Sequence, residues 1–262
     1  MSDTLLSVHG LTRRFGGFTA VQKVSFTLAQ GEILGLIGPN GSGKSTTFNL
    51  IAGTLAPSEG SIRLRGEEIG GAMPNRICRA GIARTFQIPR PFRKLSILEN
   101  ASLAAFYGAA ERIGADEAQQ RAVDALAMVG LPTSPGALVD GLGAAGLKKL
   151  EMARALATQP QLLLADESLG GLDEQEMEQA ADMLARIRRE RGITIIWVEH
   201  IMGVLMRVVD RCIVLDHGEV IAEGTPHEVA NHPKVIEVYL GTDATEVQDQ
   251  VKRRAGGEGA RS

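Results

Sequence analysis

A glycine-rich segment that ends in a lysine and two hydroxyl residues carries the most specific chemistry in this sequence. Positions 38–45 fit the spacing G-x-x-x-x-G-K-[ST], with an apolar run before them and a helix-compatible run, 46–52, after them. Glycine permits backbone angles that other residues resist, so successive N–H groups can turn towards phosphate oxygens. We therefore predict a phosphate-binding loop, called the phosphate loop below, made of Gly38, Pro39, Asn40, Gly41, Ser42, Gly43, Lys44, Ser45 and Thr46.

The polar residues at the end of the phosphate loop have distinct predicted roles. Lys44 can bridge the β- and γ-phosphates of a nucleotide as a point charge, which makes it a candidate for both binding and catalysis. The Ser45 hydroxyl suits one position around octahedral Mg2+, and Thr46 is expected to add a phosphate contact. The alternative is a glycine-rich turn that binds nothing, and it leaves the match at every fixed position unexplained.

An Asp-Glu pair follows a second apolar run, 162–165. Open α/β sheets present ligand-binding groups where their strands end. Asp166 suits a Mg2+ ligand, direct or through water. Glu167 suits the general base that polarises an attacking water, a contribution of about 100- to 10,000-fold in rate. A solvated acidic turn is the alternative interpretation.

Three further residues gain meaning from their positions. His200 follows the apolar run 194–198, where its side chain could reach a γ-phosphate, although a lone histidine after a strand is more often structural. Gln87 lies where the α/β pattern gives way to helix formers, so it could transmit a change in the bound nucleotide to the helical segment that follows. Phe15, which precedes a double glycine, is by itself an ordinary core aromatic.

The composition limits the class of protein. The 262 residues are 44% hydrophobic, which predicts a globular chain with a sizeable core. A net charge of -3 argues against general nucleic-acid affinity, and two cysteines are too few for a disulfide framework. No run reaches the roughly 20 apolar residues of a membrane span, and the start lacks the pattern of a secretion signal. We expect a cytoplasmic protein that meets a membrane only through a partner.

The apolar runs predict an α/β fold with a P-loop NTPase core. Short unalternating runs separated by helix-length segments indicate a mainly parallel sheet covered on both faces. Alternating runs near the start indicate an antiparallel β subdomain on either side of the phosphate-binding strand. The predicted strands are 6–8, 21–28, 61–65, 162–165, 194–198, 212–215 and 219–222, and the crossover helices are 174–189 and 201–209.

An α-helical subdomain is predicted to be inserted in this core. From about 89 to 158 the sequence changes to helix formers, with helices at 97–107, 116–129 and 147–157. Together with this insert, residues 1–244 are predicted to form one domain. The polar stretch 245–262 is predicted to be a disordered tail.

The order of these motifs resembles the ATP-binding cassette (ABC) subunits of membrane transporters. The resemblance covers about residues 5–241. Within that family, the sequence is most similar to the ATPase subunits of branched-chain amino acid importers. It implies that the chain hydrolyses ATP to ADP and phosphate, with Mg2+, to drive import of branched-chain or other amino acids. The segments that carry it are the phosphate loop, 13–17, 84–87, 162–167, 170–173, 199–200, 220–226 and 238–241.

The resemblance also implies roles for single residues and for partners. Phe15 takes the position of the aromatic that stacks on adenine, and Gln87 that of a residue contacting both Mg2+ and the membrane subunit. Asp173 lies at the loop that crosses the dimer, and His200 contacts the γ-phosphate. The implied partners are a second cassette closing head to tail around two ATP molecules, permease subunits that dock near 88–98 and, indirectly, a substrate-binding protein. The implied location is the inner face of the cell membrane.

One element departs from the family pattern. The family's signature loop, Leu-Ser-Gly-Gly-Gln, corresponds here to the signature segment Leu142, Gly143, Ala144, Ala145 and Gly146. The family's serine bonds the partner's γ-phosphate, and losing such a bond costs about 1.5 to 3 kcal/mol, or about 10- to 100-fold in rate. The departure predicts a heterodimer with a cassette whose signature is intact. A homodimer in which Gly146 and backbone amides suffice stays open.

Two other functions share parts of this pattern. A soluble ABC-type switch in DNA repair or on ribosomes has the same motifs, but such relatives usually carry long coiled coils or tandem cassettes, and neither appears in this sequence. A GTP-binding switch has a phosphate loop, but the chain contains no Asn-Lys-x-Asp segment.

Overall fold

The computed structural model describes residues 3–167, 169–199 and 202–240, so that His200 and the predicted tail lie outside the described residues. The strands in these ranges are β1 (Thr4–Phe15), β2 (Phe18–Ala29), β3 (Ile33–Ile37), β4 (Glu59–Leu64), β5 (Glu67–Glu68), β6 (Ile82–Arg84), β7 (Leu162–Asp166), β8 (Thr194–Val198), β9 (Arg211–Asp216) and β10 (Glu219–Gly224). The helices are α1 (Lys44–Ile51), α2 (Pro74–Arg79), α3 (Ile97–Gly108), α4 (Ala115–Val129), α5 (Ala144–Ala157), α6 (Glu174–Arg191), α7 (Met202–Leu205), α8 (Pro226–Ala230) and α9 (Pro233–Leu240). A 3-10 turn lies at Val139–Gly141.

The larger sheet carries the phosphate loop at the end of β3. Within the described ranges its strand order is β10-β9-β3-β8-β7-β6, and all neighbours are parallel except β9 and β10. Every residue of β3, β7 and β8 is buried. Ile33 and Ile37 pack among the helices on one face, whereas Leu34 and Leu36 pack with the antiparallel strands on the other. Two covered faces explain why these strands have unalternating sequences.

The antiparallel strands form a separate sheet with the order β2-β1-β4-β5. They precede and follow β3 along the chain, as predicted, but in space β3 lies between β8 and β9. β1 and β2 pair through a turn at Gly16 and Gly17, and both strands are longer than predicted. The register of their pairing shifts between Val8 and Leu11, so β1 continues past the point where its apolar alternation breaks.

Helices α3, α4 and α5 confirm the predicted helical segments within 89–158. α3 begins at a capping box, in which the Ser96 hydroxyl accepts from the Glu99 N–H and the Glu99 carboxylate accepts from the Ser96 N–H. α4 ends at Gly130, whose φ of 71° closes the helix. α5 begins at Ala144, three residues before the predicted start at 147, because the two alanines of the signature segment are strong helix formers.

The remaining differences concern short elements. α7 is shorter than the predicted helix 201–209, and α6 runs two residues further than predicted before Gly192 ends it. α2, α8, α9, β5 and β6 were not predicted, since elements of two to eight residues are too short to show a hydrophobic period. No helix in the described part of the chain combines the length and apolar character of a membrane span.

Candidate active site

The phosphate loop joins the end of β3 to the start of α1, and its glycines are required by its surroundings. Gly38, Gly41 and Gly43 have φ angles of 150°, 81° and 103°. A Cβ atom on Gly38 would lie 2.1 Å from the carbonyl oxygen of Leu215, and one on Gly43 would lie 2.7 Å from that of Ala20. Both contacts are with backbone, so the neighbours cannot move aside cheaply. The structure therefore confines the loop to glycine at these positions.

The polar side chains of the loop form a cradle suited to an anion. The Lys44 ammonium donates to the carbonyl oxygens of Gly38 and Pro39, at 2.8 Å each. Burial lowers the pKa of Lys44, whereas the charges of Glu167 and Asp166 raise it. The Ser42 hydroxyl is buried and has no hydrogen-bond partner among the described residues. A buried cation and an unmatched hydroxyl at a helix start fit the phosphates of a nucleotide.

Ser45 and Thr46 lie in the first turn of α1, where Ser45 is exposed and Thr46 is partly exposed. Within the described ranges no group of three or more His, Cys, Asp or Glu side chains is placed to hold a metal ion. Mg2+ at nucleotide sites keeps several waters and phosphate oxygens, so it needs few protein ligands. Ser45, Gln87 and Asp166 stay the predicted ones.

Asp166 ends β7 and is held by a residue that the sequence analysis did not single out. One of its carboxylate oxygens, Oδ2, lies 2.6 Å from the Arg84 Nη2 atom, and the two side chains are only 9% and 11% exposed. The Asp166 N–H donates to the Thr85 hydroxyl at 3.2 Å. The last residue of β6 thus fixes the side chain of Asp166, and the residue that follows β6 fixes its backbone. The run Arg-Thr-Phe-Gln carried a family resemblance, but no pattern in it indicated an ion pair with Asp166.

Glu167 and Gln87, predicted separately, are brought together by the structure. The Gln87 side-chain amide donates to the Glu167 carboxylate. The Glu167 N–H donates to the Val198 carbonyl at 2.9 Å, and its φ is 40°, an unusual backbone conformation for a residue other than glycine. Such conformations persist where surrounding contacts impose them, and they concentrate at functional sites. The carboxylate therefore projects from a rigid backbone beside the amide that can orient it.

Lys148 of α5 connects the helix of the signature segment to the Glu167 loop. Its ammonium lies 3.4 Å from the Glu167 carbonyl oxygen. Glu199, which follows β8 and is 1% exposed, accepts a hydrogen bond from the Leu169 N–H at 2.8 Å. Burial raises the pKa of Glu199 to about 7, and the charge of Lys148 partly opposes this rise. The sequence analysis gave neither residue a role, since Lys148 belongs to no recognisable motif and Glu199 entered only within the resembling segment 199–200.

Two predicted contacts stay predictions. Phe15 is 43% exposed at the end of β1, with the Arg13 guanidinium 4.6 Å from its ring centroid, so its ring is accessible to a ligand. His200 lies outside the described residues, and its approach to a γ-phosphate therefore stays a prediction as well.

Tyr239 of α9, which was not predicted as a site residue, makes a hydrogen bond with the backbone of Gly38. Burial raises the pKa of its hydroxyl to about 12.

The signature segment lies at the start of α5. Gly143 is the N-cap residue, with ordinary φ and ψ angles of -73° and -175°, and no side chain caps the helix. A Cβ atom there would meet nothing within 4 Å. Asp173, in contrast, caps α6 in a full capping box with Glu176. The family's serine is therefore missing from a position that has room for it.

Comparison with known proteins identifies the family. The family model described as "ABC transporter" matches residues 21–170. The chain belongs to the ABC transporter family. The cassette also matches, over residues 219–245, the model described as "Branched-chain amino acid ATP-binding cassette transporter".

Relatives and solved structures agree with this assignment. The cassette is 39% identical over 253 residues to the high-affinity branched-chain amino acid transport ATP-binding protein LivG of Salmonella typhimurium, covering 92% of this chain and 99% of that protein. An ATP-binding cassette of an ABC transporter in its ADP conformation is 28% identical with a TM-score of 0.82, covering 91% of this chain and 99% of that one. A dimeric post-hydrolysis cassette bound to ADP and Pi is 26% identical with a TM-score of 0.74, covering 85% of this chain and 99% of that one. The fold is that of an ABC ATPase, as predicted.

Proposed function

We propose that this cassette is the ATP-hydrolysing subunit of a membrane importer for branched-chain amino acids. The observation that carries the hydrolytic part is the meeting of the phosphate loop with the Asp166-Glu167 pair. Lys44 is close enough to both carboxylates for their charges to raise its pKa against the effect of burial. A phosphate cradle, a metal ligand and a general base in one place are the parts that phosphoryl transfer to water requires.

In this mechanism each group holds charge or moves a proton. The phosphate-loop N–H groups and Lys44 bind the phosphates of ATP, and Ser45, Asp166 and Gln87 are the groups proposed to hold Mg2+. When bound, Mg2+ neutralises charge that develops on the phosphate oxygens. Glu167 takes a proton from the water that attacks the γ-phosphorus, while the bond from that phosphorus to the bridging oxygen of ADP breaks. His200 is proposed to bind the γ-phosphate.

We further propose that the cassette works as one half of a heterodimer. Its own ATP faces the signature loop of a different cassette, whereas its signature segment faces the partner's ATP without the serine hydroxyl. The lack of a side-chain cap at Gly143 supports this asymmetry. The competing arrangement is a homodimer in which the backbone amides at the start of α5 are sufficient.

A groove between the core and the helical insert is the proposed docking site of the membrane subunits. It encloses about 220 Å3 and includes Phe86 and Arg154 in its wall. Nearby apolar side chains are exposed, with Ile88 at 69% and Phe92 at 52%. Exposed apolar groups beside an open groove suit a short helix of a membrane protein. This would hold the cassette at the inner face of the membrane.

The proposed cargo rests on two comparisons. The family model that matches residues 219–245 is one of branched-chain amino acid transporters, and the relative LivG is named for the same transport. In the structure this region includes β10, α8 and α9, and α9 contacts the phosphate loop through Tyr239. Membrane subunits and a substrate-binding protein would select the cargo itself.

The test is the substitution Glu167→Gln in the complex reconstituted with its membrane subunits and partner. We expect ATP binding to persist while hydrolysis and uptake of labelled leucine, isoleucine or valine fall by about 100-fold or more, since the general base is removed. The matched control is Glu111→Gln, the same chemical change at an exposed loop residue. Near-normal turnover by the Glu167→Gln complex would contradict the proposed roles of this site and the heterodimer. Uptake of other solutes alone would contradict the cargo.

A further inference from the structure

Arg84 occupies a position between the groove and the Asp166 carboxylate. Its Nη2 atom lies 2.6 Å from the Asp166 Oδ2 atom, and its Nη1 atom lies 2.6 Å from the Asn49 Oδ1 atom. Asn49 belongs to α1, which starts inside the phosphate loop. One planar guanidinium therefore ties the helix that begins at the phosphate loop to the strand that presents the metal ligand.

Aromatic rings hold this guanidinium in place. The carbon at its centre lies 5.8 Å from the centroid of the Phe48 ring and 5.1 Å from that of the Phe86 ring. Phe86 is 48% exposed, lines the groove and immediately precedes Gln87. Arg84 thus touches the groove wall on one side and Asp166 on the other.

A contribution to stability alone explains this pair poorly. Taking two charges out of water costs several kcal/mol per ion, so buried ion pairs are often replaceable by apolar side chains with no net loss of stability. Breaking such a pair by removing one partner is different, because the remaining charge is left buried without its counter-ion.

We propose that Arg84 is a positioning residue that holds one oxygen of Asp166 and so leaves the other available to the Mg2+ site. Through its contact with Phe86, Arg84 also connects that carboxylate to the wall of the groove. The inference rests on the proposed binding of ATP and Mg2+. It assigns Arg84 no direct contact with nucleotide or metal.

The experiment measures how Mg2+ strengthens binding of a fluorescent ATP analogue to the full chain. For Arg84→Gln we expect the Mg2+ concentration at half-saturation to rise by about 10-fold or more, as is typical when the partner of a metal ligand is removed. Binding of the analogue in EDTA should change less than about twofold, since the phosphate loop is intact. Arg84→Lys keeps the charge but loses the planar two-pronged contact, so it should give an intermediate shift. The matched control is Arg63→Gln, at an exposed arginine that pairs with Glu68.

A double-mutant cycle separates this role from a general structural one. If Arg84 acts through Asp166, Arg84→Gln should add no further shift when Asp166 is already Asn. An equal shift in both backgrounds, or an unchanged Mg2+ requirement in Arg84→Gln, would overturn the inference. If Arg84→Gln does not fold, as judged by circular dichroism, Arg84→Lys decides in the same way. Failure of the wild-type chain to bind nucleotide with Mg2+ would overturn the proposed function itself, whereas normal wild-type binding with unaffected variants would overturn only the role of Arg84.

Discussion

In the phosphate loop a Cβ atom on Gly38 would lie 2.1 Å from a backbone oxygen, whereas in the signature segment a Cβ atom on Gly143 would meet nothing within 4 Å. Gly38 also has a φ of 150°, while Gly143 has a φ of -73° that any residue adopts. Both regions are rich in small residues, but Gly38 is required by its surroundings and Gly143 is not. The position that would carry the family's serine therefore tolerates a side chain, whereas the turn into this cassette's own phosphate loop does not.

The two regions also differ in their polar contacts. Lys44 and Asp166 each have partners at 2.8 Å or less in the described structure. The start of α5 has no side-chain cap. A difference of this kind is what an asymmetric pair of ATP sites would need, and the following predictions address it from the largest expected effect to the smallest.

Gly38→Ala should have the largest effect. The added methyl group would overlap the Leu215 carbonyl, and the backbone angle disfavours alanine, so we expect a loss of about 3 kcal/mol or more in the free energy of unfolding. We also expect ATP affinity to fall by about 100-fold. Denaturant titration and calorimetric ATP titration would measure these two quantities. The control is Gly136→Ala, where a Cβ atom meets nothing within 4 Å. A Gly38→Ala protein as stable as this control would show that the Leu215 carbonyl of β9 can move aside.

Gly143→Ser should restore a missing contact. The structure has room for the side chain, and the hydroxyl would face the partner's ATP in the proposed heterodimer. In a complex whose own site is silenced by Glu167→Gln, we expect Gly143→Ser to raise the residual ATPase rate by about 10- to 100-fold. The free energy of unfolding should change by only a few tenths of a kcal/mol, since serine and glycine are both good N-cap residues.

Gly143→Ala is the matched control for that experiment, since it adds the Cβ atom without the hydroxyl. A rise with alanine as large as with serine would show that the effect is steric. In a homodimer Glu167→Gln would disable both sites, so no variant at Gly143 could rescue the rate. That outcome would replace the asymmetric model with the symmetric one.

The buried Glu199, which accepts from the Leu169 N–H, predicts a smaller effect, a dependence of stability on pH. Burial raises the pKa of Glu199 from 4.5 to about 7, so the folded protein keeps a proton that the unfolded chain has already released. The stability contributed by that proton is fully present below the unfolded pKa of 4.5 and is lost as the pH rises from there through about 7. Between pH 6 and pH 8 the expected loss is about 1.4 kcal/mol of unfolding free energy.

Glu199→Gln should remove this slope, because glutamine does not titrate and its carbonyl oxygen can still accept from the Leu169 N–H. Denaturant titrations of both proteins at pH 6, 7 and 8 would measure the difference. Parallel pH profiles for the two proteins would show that Glu199 titrates as an exposed carboxylate does, and the proposed burial beside Lys148 would then be wrong.

The sequence predicted fully buried strands better than short helices. β8 was predicted at its observed bounds, because a fully buried strand between two helices leaves an uninterrupted apolar run. α8 was missed although Thr225, Pro226 and Glu228 form a capping box with proline at the first position, since five residues show no hydrophobic period. α5 was predicted to start late because the signature segment was interpreted as a loop by analogy, although its alanines favour helix.

The sequence by itself predicted the phosphate loop and the Asp166-Glu167 pair, because the chemistry of each depends on residue types at local spacing, and it predicted Gln87 through the family resemblance. Only the tertiary structure decided that Gln87 donates to Glu167, that Arg84 holds Asp166 and that Glu199 is buried beside Lys148. These pairs are far apart in sequence, and the residues that follow or end β6, β7 and β8 meet because parallel strands bring their carboxyl ends to one edge of the sheet, whereas Lys148 comes from α5. Packing also decided which glycines are required, since a Cβ atom is excluded by neighbours that local sequence does not reveal.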